Sequence, residues 1–237
     1  MMLIARVPAL RFRLLFLLAL FGLLPGGPAA AQTNKQLRRL ADLGRVWGEL
    51  KYFHPGIATG RYDWDSVLVV AATAVLQQDS DQALRSQVDA LFALAGPTTA
   101  AEFVLDPNLP AHATRNIRHG WVRRSAYLTP AQQTYLLHLY AHPYQGVNYY
   151  AQNNPNDEGN IITPHEKPYP AMKLPSLGYR LVGLFRFWNV INYYYPYKYA
   201  TRRDWDAVLT DLLPLFVQAT TAPAYHRAML TMAATID

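Results

Sequence analysis

The sequence of 237 residues contains no cysteine. This absence excludes disulfides, thiolate zinc sites, a cysteine nucleophile and the lipidated cysteine of a bacterial lipoprotein. Charged residues are also sparse at 16%, and the net charge is only +6. Arg6, Arg11 and Arg13 lie in a segment that we expect to be removed, which leaves 19 basic against 16 acidic residues. So small an excess gives no reason to expect a nucleic-acid partner.

Apolar and aromatic residues are plentiful by contrast. Together they make up 51% of the sequence, and the aromatic residues alone make up 13%. A chain of this length and composition can bury a substantial core in one or two domains, and it does not have the composition of a disordered protein.

Residues 1–31 have the pattern of a secretory signal peptide. Three arginines precede an apolar run at residues 14–24, which is followed by PGGP and three alanines. We expect cleavage after Ala31 and an exported protein, periplasmic or extracellular. The alternative, a transmembrane anchor, needs about 20 apolar residues, which is more than this run holds. We therefore expect no membrane contact after cleavage.

The rest of the chain contains an internal duplication. At an offset of 141 residues, RVWGELKYFHP aligns with RFWNVINYYYP, and the same ungapped offset aligns two Asp-Trp-Asp triplets. Between Leu40 and Leu68, 12 of 29 positions are identical to their counterparts. Because the register is kept across a loop, we interpret the chain as two copies of one supersecondary unit.

Each copy predicts a helix, a loop and a second helix. Apolar residues recur at helical spacing until a proline ends the first run, both from Leu37 to Leu76 and from Gly178 to Ala219. The sequence predicts a mainly α fold, with these duplicated helix-loop-helix units joined by an irregular middle that holds short strands. The expected order is signal peptide 1–31, first helical unit 32–110, connecting region 111–177 with one helix, and second unit 178–237, truncated at its C-terminus.

The two Asp-Trp-Asp triplets stand where the second helix of each copy begins. A carboxylate there accepts a hydrogen bond from a free backbone N–H and favours the positive end of the helix dipole. We therefore assign the aspartates to helix capping rather than to calcium binding or acid-base catalysis: Asp63, Asp65, Asp204 and Asp206. The tryptophans of the repeated pattern are predicted core residues: Trp47, Trp64, Trp188 and Trp205.

A run of tyrosines near the end of the second copy is the candidate ligand-binding surface. It consists of Tyr193, Tyr194, Tyr195 and Tyr197. Such a cluster forms either an aromatic platform for a peptide or glycan, or a packing surface between helical units.

Two other patterns bear on catalysis and metal binding. His138 and His142 have the spacing of a helical metal pair, but Leu139 replaces the glutamate of a zincin and no third ligand is evident, so we expect no metal and no cofactor. None of the five serines expected in the mature chain lies in a glycine-rich strand-to-helix turn that would expose a nucleophile. We assign no catalytic residue and leave open whether the chain is an enzyme.

The motifs KYFHP with YDWD, and GYRLVGLFRFWNVINYYYPYKY with RDWDAVL, resemble the N-terminal helical region of secreted tail-specific, or C-terminal processing, serine peptidases (serine peptidase family forty-one). The resemblance implies that a peptide-binding domain and a catalytic domain with a Ser/Lys dyad follow this region. No catalytic residue of the family matches a position here, since the sequence ends at Asp237.

The resemblance leads to one expectation about function and leaves one alternative. We expect a non-catalytic helical module of an exported peptidase that cleaves exported proteins. Its partners would be the missing peptide-binding and catalytic domains and a polypeptide substrate. The alternative is a free-standing secreted protein that binds a peptide or a glycan.

Overall fold

A computed structural model describes residues 33–98, 119–157 and 160–236. The expected signal peptide lies outside these residues and stays a prediction. The described ranges are mainly helical, which confirms the predicted fold class. Their α-helices are α1 (Asn34–Phe53), α2 (Pro55–Ala58), α3 (Trp64–Gln78), α4 (Asp81–Ala95), α5 (Gly120–Arg124), α6 (Pro130–Ala141), α7 (Leu177–Tyr194), α8 (Trp205–Val217) and α9 (Ala222–Ala233).

Shorter elements complete this part of the chain. Strands β1 (Gln152–Asn153) and β2 (Ile161–Ile162) form an antiparallel pair, and 3₁₀ turns span Lys198–Ala200 and Ala234–Ile236. Within the described ranges, no helix combines the length and the apolar character needed to cross a membrane.

The repeated unit contains three helices and so extends beyond the predicted helix-loop-helix. Helices α1, α3 and α4 correspond to α7, α8 and α9 at the offset of 141 residues. Ser80 precedes α4 and Thr221 precedes α9, and each side chain accepts a hydrogen bond from the backbone N–H three residues further on, at 3.0 and 3.3 Å. Equivalent N-caps therefore start the third helix of each unit.

Two tryptophans in each unit join its first helix to its second. The indole of Trp47 donates to the backbone oxygen of Trp64 at 2.8 Å, and Trp64 donates to the backbone oxygen of Trp47 at 3.0 Å. Trp188 and Trp205 form the same reciprocal pair at 2.8 and 3.1 Å. All four side chains are buried, and each indole N–H has its single hydrogen bond.

A buried arginine in each first helix holds the end of the second helix. Arg39 pairs with Asp79 at 2.6 Å and with Asp81 at 2.7 Å, where α3 ends and α4 begins. Arg180, at the equivalent position, donates to the backbone oxygen of Phe216 near the end of α8 at 2.9 Å. A cation at this place also stabilises the negative end of the helix dipole.

Reciprocal ion pairs join the two units to each other. Arg45 of the first unit pairs with Asp206 of the second at 3.3 Å, and Arg186 of the second pairs with Asp65 of the first. The two arginines are equivalent residues, and so are the two aspartates. Helices α1 and α8 are in contact, as are their equivalents α7 and α3. Contacts exchanged in this way are those of an approximate two-fold relation between the units.

Helices α1 and α7 approach each other closely because α1 carries glycine at the crossing. A Cβ atom at Gly44 would overlap the ring of Phe185, and one at Gly48 would overlap the amide of Asn189. Asn189 also donates to the backbone oxygen of Gly44 at 3.0 Å. Gly44 and Gly48 are the sequence equivalents of Phe185 and Asn189, so each small residue faces its own larger counterpart across the crossing.

The connecting region holds α5, α6 and the short sheet. The sequence predicted one helix in this region, and the described part of it has two. Helix α6 starts with a complete capping box between Thr129 and Gln132, and the five-residue α5 was not predicted. The short strands predicted for this region are β1 and β2, and the residues just before β1, 147–151, form no strand. The cause is Asn148, whose side-chain oxygen accepts from the N–H groups of Tyr150 and Ala151 at 2.8 and 3.1 Å and bends the chain there.

Candidate binding cleft

The first helices of the two units end beside each other, and their last residues form an aromatic floor. Tyr52 and Phe53 end α1, and their equivalents Tyr193 and Tyr194 end α7. The rings of Tyr52 and Tyr194 have centroids 5.2 Å apart at 83°, and those of Phe53 and Tyr193 lie 4.8 Å apart at 88°. Edge-to-face packing of this kind is a favoured arrangement of aromatic rings.

This floor opens into a cleft with a volume of about 700 Å³. Its walls come from α6 and from the segment between α6 and the end of β1. A cavity of this size, lined by aromatic groups with some polar ones, is typical of ligand-binding sites. The described residues that line it are Tyr52, Phe53, His119, Tyr140, Pro143, Tyr144, Gln145, Gly146, Val147, Asn148, Ala151, Gln152, Asn153, Ile161, Asn192, Tyr193 and Tyr194.

One wall presents hydroxyl and imidazole groups without charge. The hydroxyl of Tyr140 lies 3.4 Å from that of Tyr193, and burial raises the pKa of both, so both stay protonated. His119 packs against Tyr140, and burial, together with the nearby charge of Lys198, lowers the pKa of His119 to about 4. The imidazole is therefore neutral at pH 7, and so is the whole described lining.

Tyr52, a residue of the cleft floor, has a hydroxyl group without a hydrogen-bond partner in the described ranges. Its side chain is 3% exposed. Burial raises its pKa, so this hydroxyl is a donor at every ordinary pH. Leaving a buried hydroxyl unpaired costs about 1–3 kcal/mol, which a ligand that accepts from it would recover.

A buried carboxyl group lies behind the Tyr140 wall. Glu49 is 0% exposed, and within the described ranges neither carboxyl oxygen has a hydrogen bond of good geometry. Burial raises its pKa well above the usual range, and the hydroxyl of Tyr140 opposes this shift. The equivalent residue of the second unit is the apolar Val190. A carboxyl group without a counter-ion in such a place is held protonated, so Glu49 adds no charge to the cleft.

Asn148 links the loop beside the floor to the end of α1. The amide of Asn148 donates to the backbone oxygens of Lys51 and Tyr52 at 3.3 and 3.1 Å, which satisfies carbonyl groups at the end of α1. Because the side-chain oxygen of Asn148 also holds the following turn, the loop and the end of α1 are fixed together.

A charged cluster next to the cleft ties the connecting region to both units. Lys51 is fully buried, pairs with Glu166 and lies 4.6 Å from the ring centre of Trp47. Burial lowers the pKa of Lys51, and the charge of Glu166 opposes that shift. Arg186 lies 2.7 Å from Glu166 and also pairs with Asp65. These charged groups pair with one another and do not line the cleft.

The four aspartates of the triplets divide into two roles. Asp63 and Asp204 are N-cap residues, and each accepts from the backbone N–H three residues further on, at 3.4 and 3.2 Å. Asp65 and Asp206 lie in the first turn of their helices, but their side chains pair with arginines of the opposite unit. The capping assignment thus describes Asp63 and Asp204, whereas Asp65 and Asp206 join the units.

Two of the four predicted tyrosines do not line the cleft. Tyr193 and Tyr194 do, but Tyr195 is the residue after the last turn of α7, and Tyr197 lies beyond it with 60% of its surface exposed. The chain leaves the helix at this point because Pro196 cannot continue it. Tyr195 and Tyr197 instead contact each other edge to face, with centroids 6.0 Å apart.

The candidate serine and histidine side chains make structural contacts. Ser125 donates to Asp42 at 2.5 Å, and the Ser80 hydroxyl caps α4. The rings of His138 and His142 stack with centroids 4.1 Å apart. No group of three metal-ligating side chains occurs in the described parts of the chain.

Comparisons with models of protein families, with curated proteins and with solved structures find no match. The resemblance to tail-specific peptidases therefore depends on the quoted sequence motifs alone.

Sequence reasoning missed most of the cleft, although part of it was within reach. Tyr52 and Phe53 are the equivalents of Tyr193 and Tyr194, so the offset of 141 residues was the signal that pointed to them. His119 and Tyr140 lie in the unrepeated middle, and no local pattern links them to the repeat.

Proposed function

We propose that this chain is a non-catalytic helical module of an exported serine peptidase similar to the tail-specific family. In this proposal it acts by binding and packing, and bond cleavage belongs to other domains. The observation that supports it best is where the charged groups lie. The acidic triplets and the buried cations hold the two units together, while the large cleft is neutral and aromatic.

The contacts between the units favour such a role. Reciprocal ion pairs, a close helix crossing and a continuous core hold α1, α3, α7 and α8 together. A body of this kind keeps the two halves of the aromatic floor at a fixed separation, which lowers the conformational entropy lost on binding.

Export and activity are tested on the full chain expressed with its leader in a bacterial host. We expect the exported protein to begin at Gln32 and to leave an unfolded protein substrate uncut above the background of a mock preparation. Turnover that is lost on a single Ser125→Ala substitution, while Ser86→Ala retains it, would contradict the non-catalytic proposal. An exported protein that retains Met1 would contradict the predicted cleavage of a signal peptide.

The second candidate, a free-standing secreted binding protein, is favoured by the same cleft, since a cleft needs no further domain in order to bind. The gene downstream of the Asp237 codon separates the two candidates. A continuation with the pattern of a serine peptidase supports the module, and an unrelated gene after a stop codon supports the free-standing protein.

A further inference from the structure

Three features of the cleft restrict what it can hold: the charge of its lining, its unpaired donor and a strand edge at its rim. We propose that it binds an extended, uncharged segment of polypeptide. This segment pairs with the outer edge of β1, accepts a hydrogen bond from the Tyr52 hydroxyl and places an apolar side chain on the aromatic floor. This inference rests on the proposed role in binding and names the ligand of that same site.

The lining disfavours charged ligands. The described lining contains no aspartate, glutamate, lysine or arginine. At the position where the first unit has the buried Lys51, the second unit has Asn192, whose side-chain oxygen accepts from Lys198 at 2.8 Å. A charged group that entered the cleft would lose water without gaining a counter-ion. A stretch of uncharged side chains would not incur this desolvation cost.

The short sheet offers backbone groups at the rim. The N–H of Asn154 donates to the oxygen of Asn160 at 2.8 Å, which makes these two residues a hydrogen-bonded pair. Hydrogen-bonded and non-hydrogen-bonded pairs alternate along antiparallel strands, so Asn153 and Ile161 form a pair of the second kind. The N–H and C=O of Asn153 therefore point to the outer edge of β1. No other described strand covers that edge, and an extended peptide can pair with it.

The buried hydroxyl of Tyr52 provides the second contact. It is a donor without a partner in the described ranges, and a peptide carbonyl is an acceptor of suitable strength. Tyr194 meets the ring of Tyr52 edge to face and extends the apolar floor on which a side chain of the peptide would rest.

The ring geometry favours a peptide over a glycan. Sugars bind aromatic sites mainly by stacking on open ring faces. Here Phe53 and Tyr193 contact each other edge to face, as do Tyr52 and Tyr194, so the rings present a packed surface rather than a flat platform. A glycan is therefore an outcome of the test that would contradict the proposal.

The test measures binding of synthetic probes to the full chain by fluorescence anisotropy and calorimetry. The first probe is a blocked octapeptide of valine, threonine and tyrosine, compared with a version carrying two glutamates and with a linear glucose hexasaccharide. We expect the neutral peptide to bind, the acidic peptide to bind at least about 10-fold more weakly, and the sugar not to bind.

A second series of probes tests the strand pairing. The neutral peptide is methylated on one backbone nitrogen at a time, from end to end. Asn153 is the residue of β1 whose N–H and C=O point outward, so this edge accepts one N–H of the peptide. We expect methylation of that nitrogen to lower affinity about 2- to 12-fold, and methylation of the nitrogens on either side to have little effect. Equal effects at every position, or none, would overturn the pairing with β1.

Tyr52→Phe tests the contact on the protein. We expect it to weaken binding of the neutral peptide about 2- to 12-fold while leaving the unfolding midpoint unchanged or raised, since the lost hydroxyl is unpaired. The matched control is Tyr225→Phe in α9, remote from the described lining of the cleft, which should leave affinity unchanged. Equal affinities in the wild type and Tyr52→Phe would overturn the proposal.

The outcomes separate this inference from the proposed function. Failure of every peptide to bind, or binding of the hexasaccharide in their place, would overturn the inference and leave the non-catalytic module standing. Cleavage of the bound peptide would contradict the non-catalytic module and support the inference about the ligand.

Discussion

The two helical units share their framework and differ where the cleft and the connecting region meet them. Both keep the reciprocal tryptophan pair, the arginine at the end of the second helix and the ion pair to the other unit. They diverge in the last turns of the first helix, where Glu49 and Lys51 of the first unit correspond to Val190 and Asn192 of the second. Residues that hold a unit together are thus duplicated, as are the aromatic residues of the floor, while the buried Glu49 and Lys51 beside the cleft are specific to the first unit.

The helix crossing shows why the units could not stay identical. Equivalent residues near an approximate two-fold axis face each other, so two large side chains would collide there. Gly44 and Gly48 against Phe185 and Asn189 resolve this conflict by placing a small residue opposite each large one.

The largest expected difference between the units concerns their reciprocal ion pairs. Asp65 is 6% exposed at its side chain and Asp206 is 33% exposed. Asp65→Asn should cost about 3–5 kcal/mol in the free energy of unfolding, because it breaks a buried pair. Asp206→Asn should cost about 0–1 kcal/mol, because its side chain is one third exposed and Arg45 keeps its pair with Asp42. Urea unfolding measures both, and equal losses would show that burial does not distinguish the two sites.

The tryptophan pairs should respond alike in the two units. Trp47→Phe and Trp188→Phe each remove an indole donor and leave a buried backbone oxygen without its partner. Each should lower the free energy of unfolding by about 1–3 kcal/mol in urea titrations. A loss confined to one unit would break the equivalence that these pairs define.

The helix crossing predicts a loss of similar size from a single added methyl group. Gly48→Ala should destabilise the protein by about 1–3 kcal/mol, since the new Cβ overlaps Asn189. The control, Gly183→Ala on α7, places its Cβ 3.3 Å from the Tyr225 hydroxyl, which lies at the end of a side chain, and should be neutral or gain about 0.5–1 kcal/mol. Adding Asn189→Ala to Gly48→Ala should restore part of the loss, and a strictly additive double variant would contradict the close crossing.

The last expected difference depends on pH and tests the contrast between Glu49 and Val190. The pKa of Glu49 is raised above 4.5 in the folded protein. Below pH 4.5 the carboxyl group is protonated in both states, and as the pH rises the unfolded state ionises first, so the folded state loses stability. Glu49→Gln removes this dependence. The free energy of unfolding of the variant should exceed that of the wild type by an amount that grows as the pH rises above 4.5. This difference should reach about 1.4 kcal/mol for each unit by which folding raises the pKa of Glu49.

Thermal and urea unfolding at pH 4.5, 6 and 8 measure this difference directly. The control is Asp211→Asn, whose side chain is exposed and should change stability by about 0–1 kcal/mol. A gain from Glu49→Gln that is equal at all three pH values would mean that the pKa of Glu49 is the same in the folded and unfolded states, and so would contradict its burial without a partner.

The helices and their N-caps were predictable because their signals are local. Asp63 and Asp204 cap helices within three residues of themselves, and Pro55 and Pro196 end helical runs by restricting the residue before them. The pairing of Asp65 and Asp206 with arginines of the opposite unit was not predictable in this way, because each arginine lies more than a hundred residues away in the chain.

The amino-acid sequence alone determined that the chain is helical, that one unit occurs twice and that tryptophans and aspartates recur in register. These properties depend on spacing and on side-chain type. The tertiary structure decided which equivalents meet across the approximate two-fold axis, and it brought Tyr52, Tyr193 and Tyr140 to one cleft. It did so because close packing of α1 on α7 sets the separation of the two helix ends, and that packing depends on shapes from distant parts of the chain.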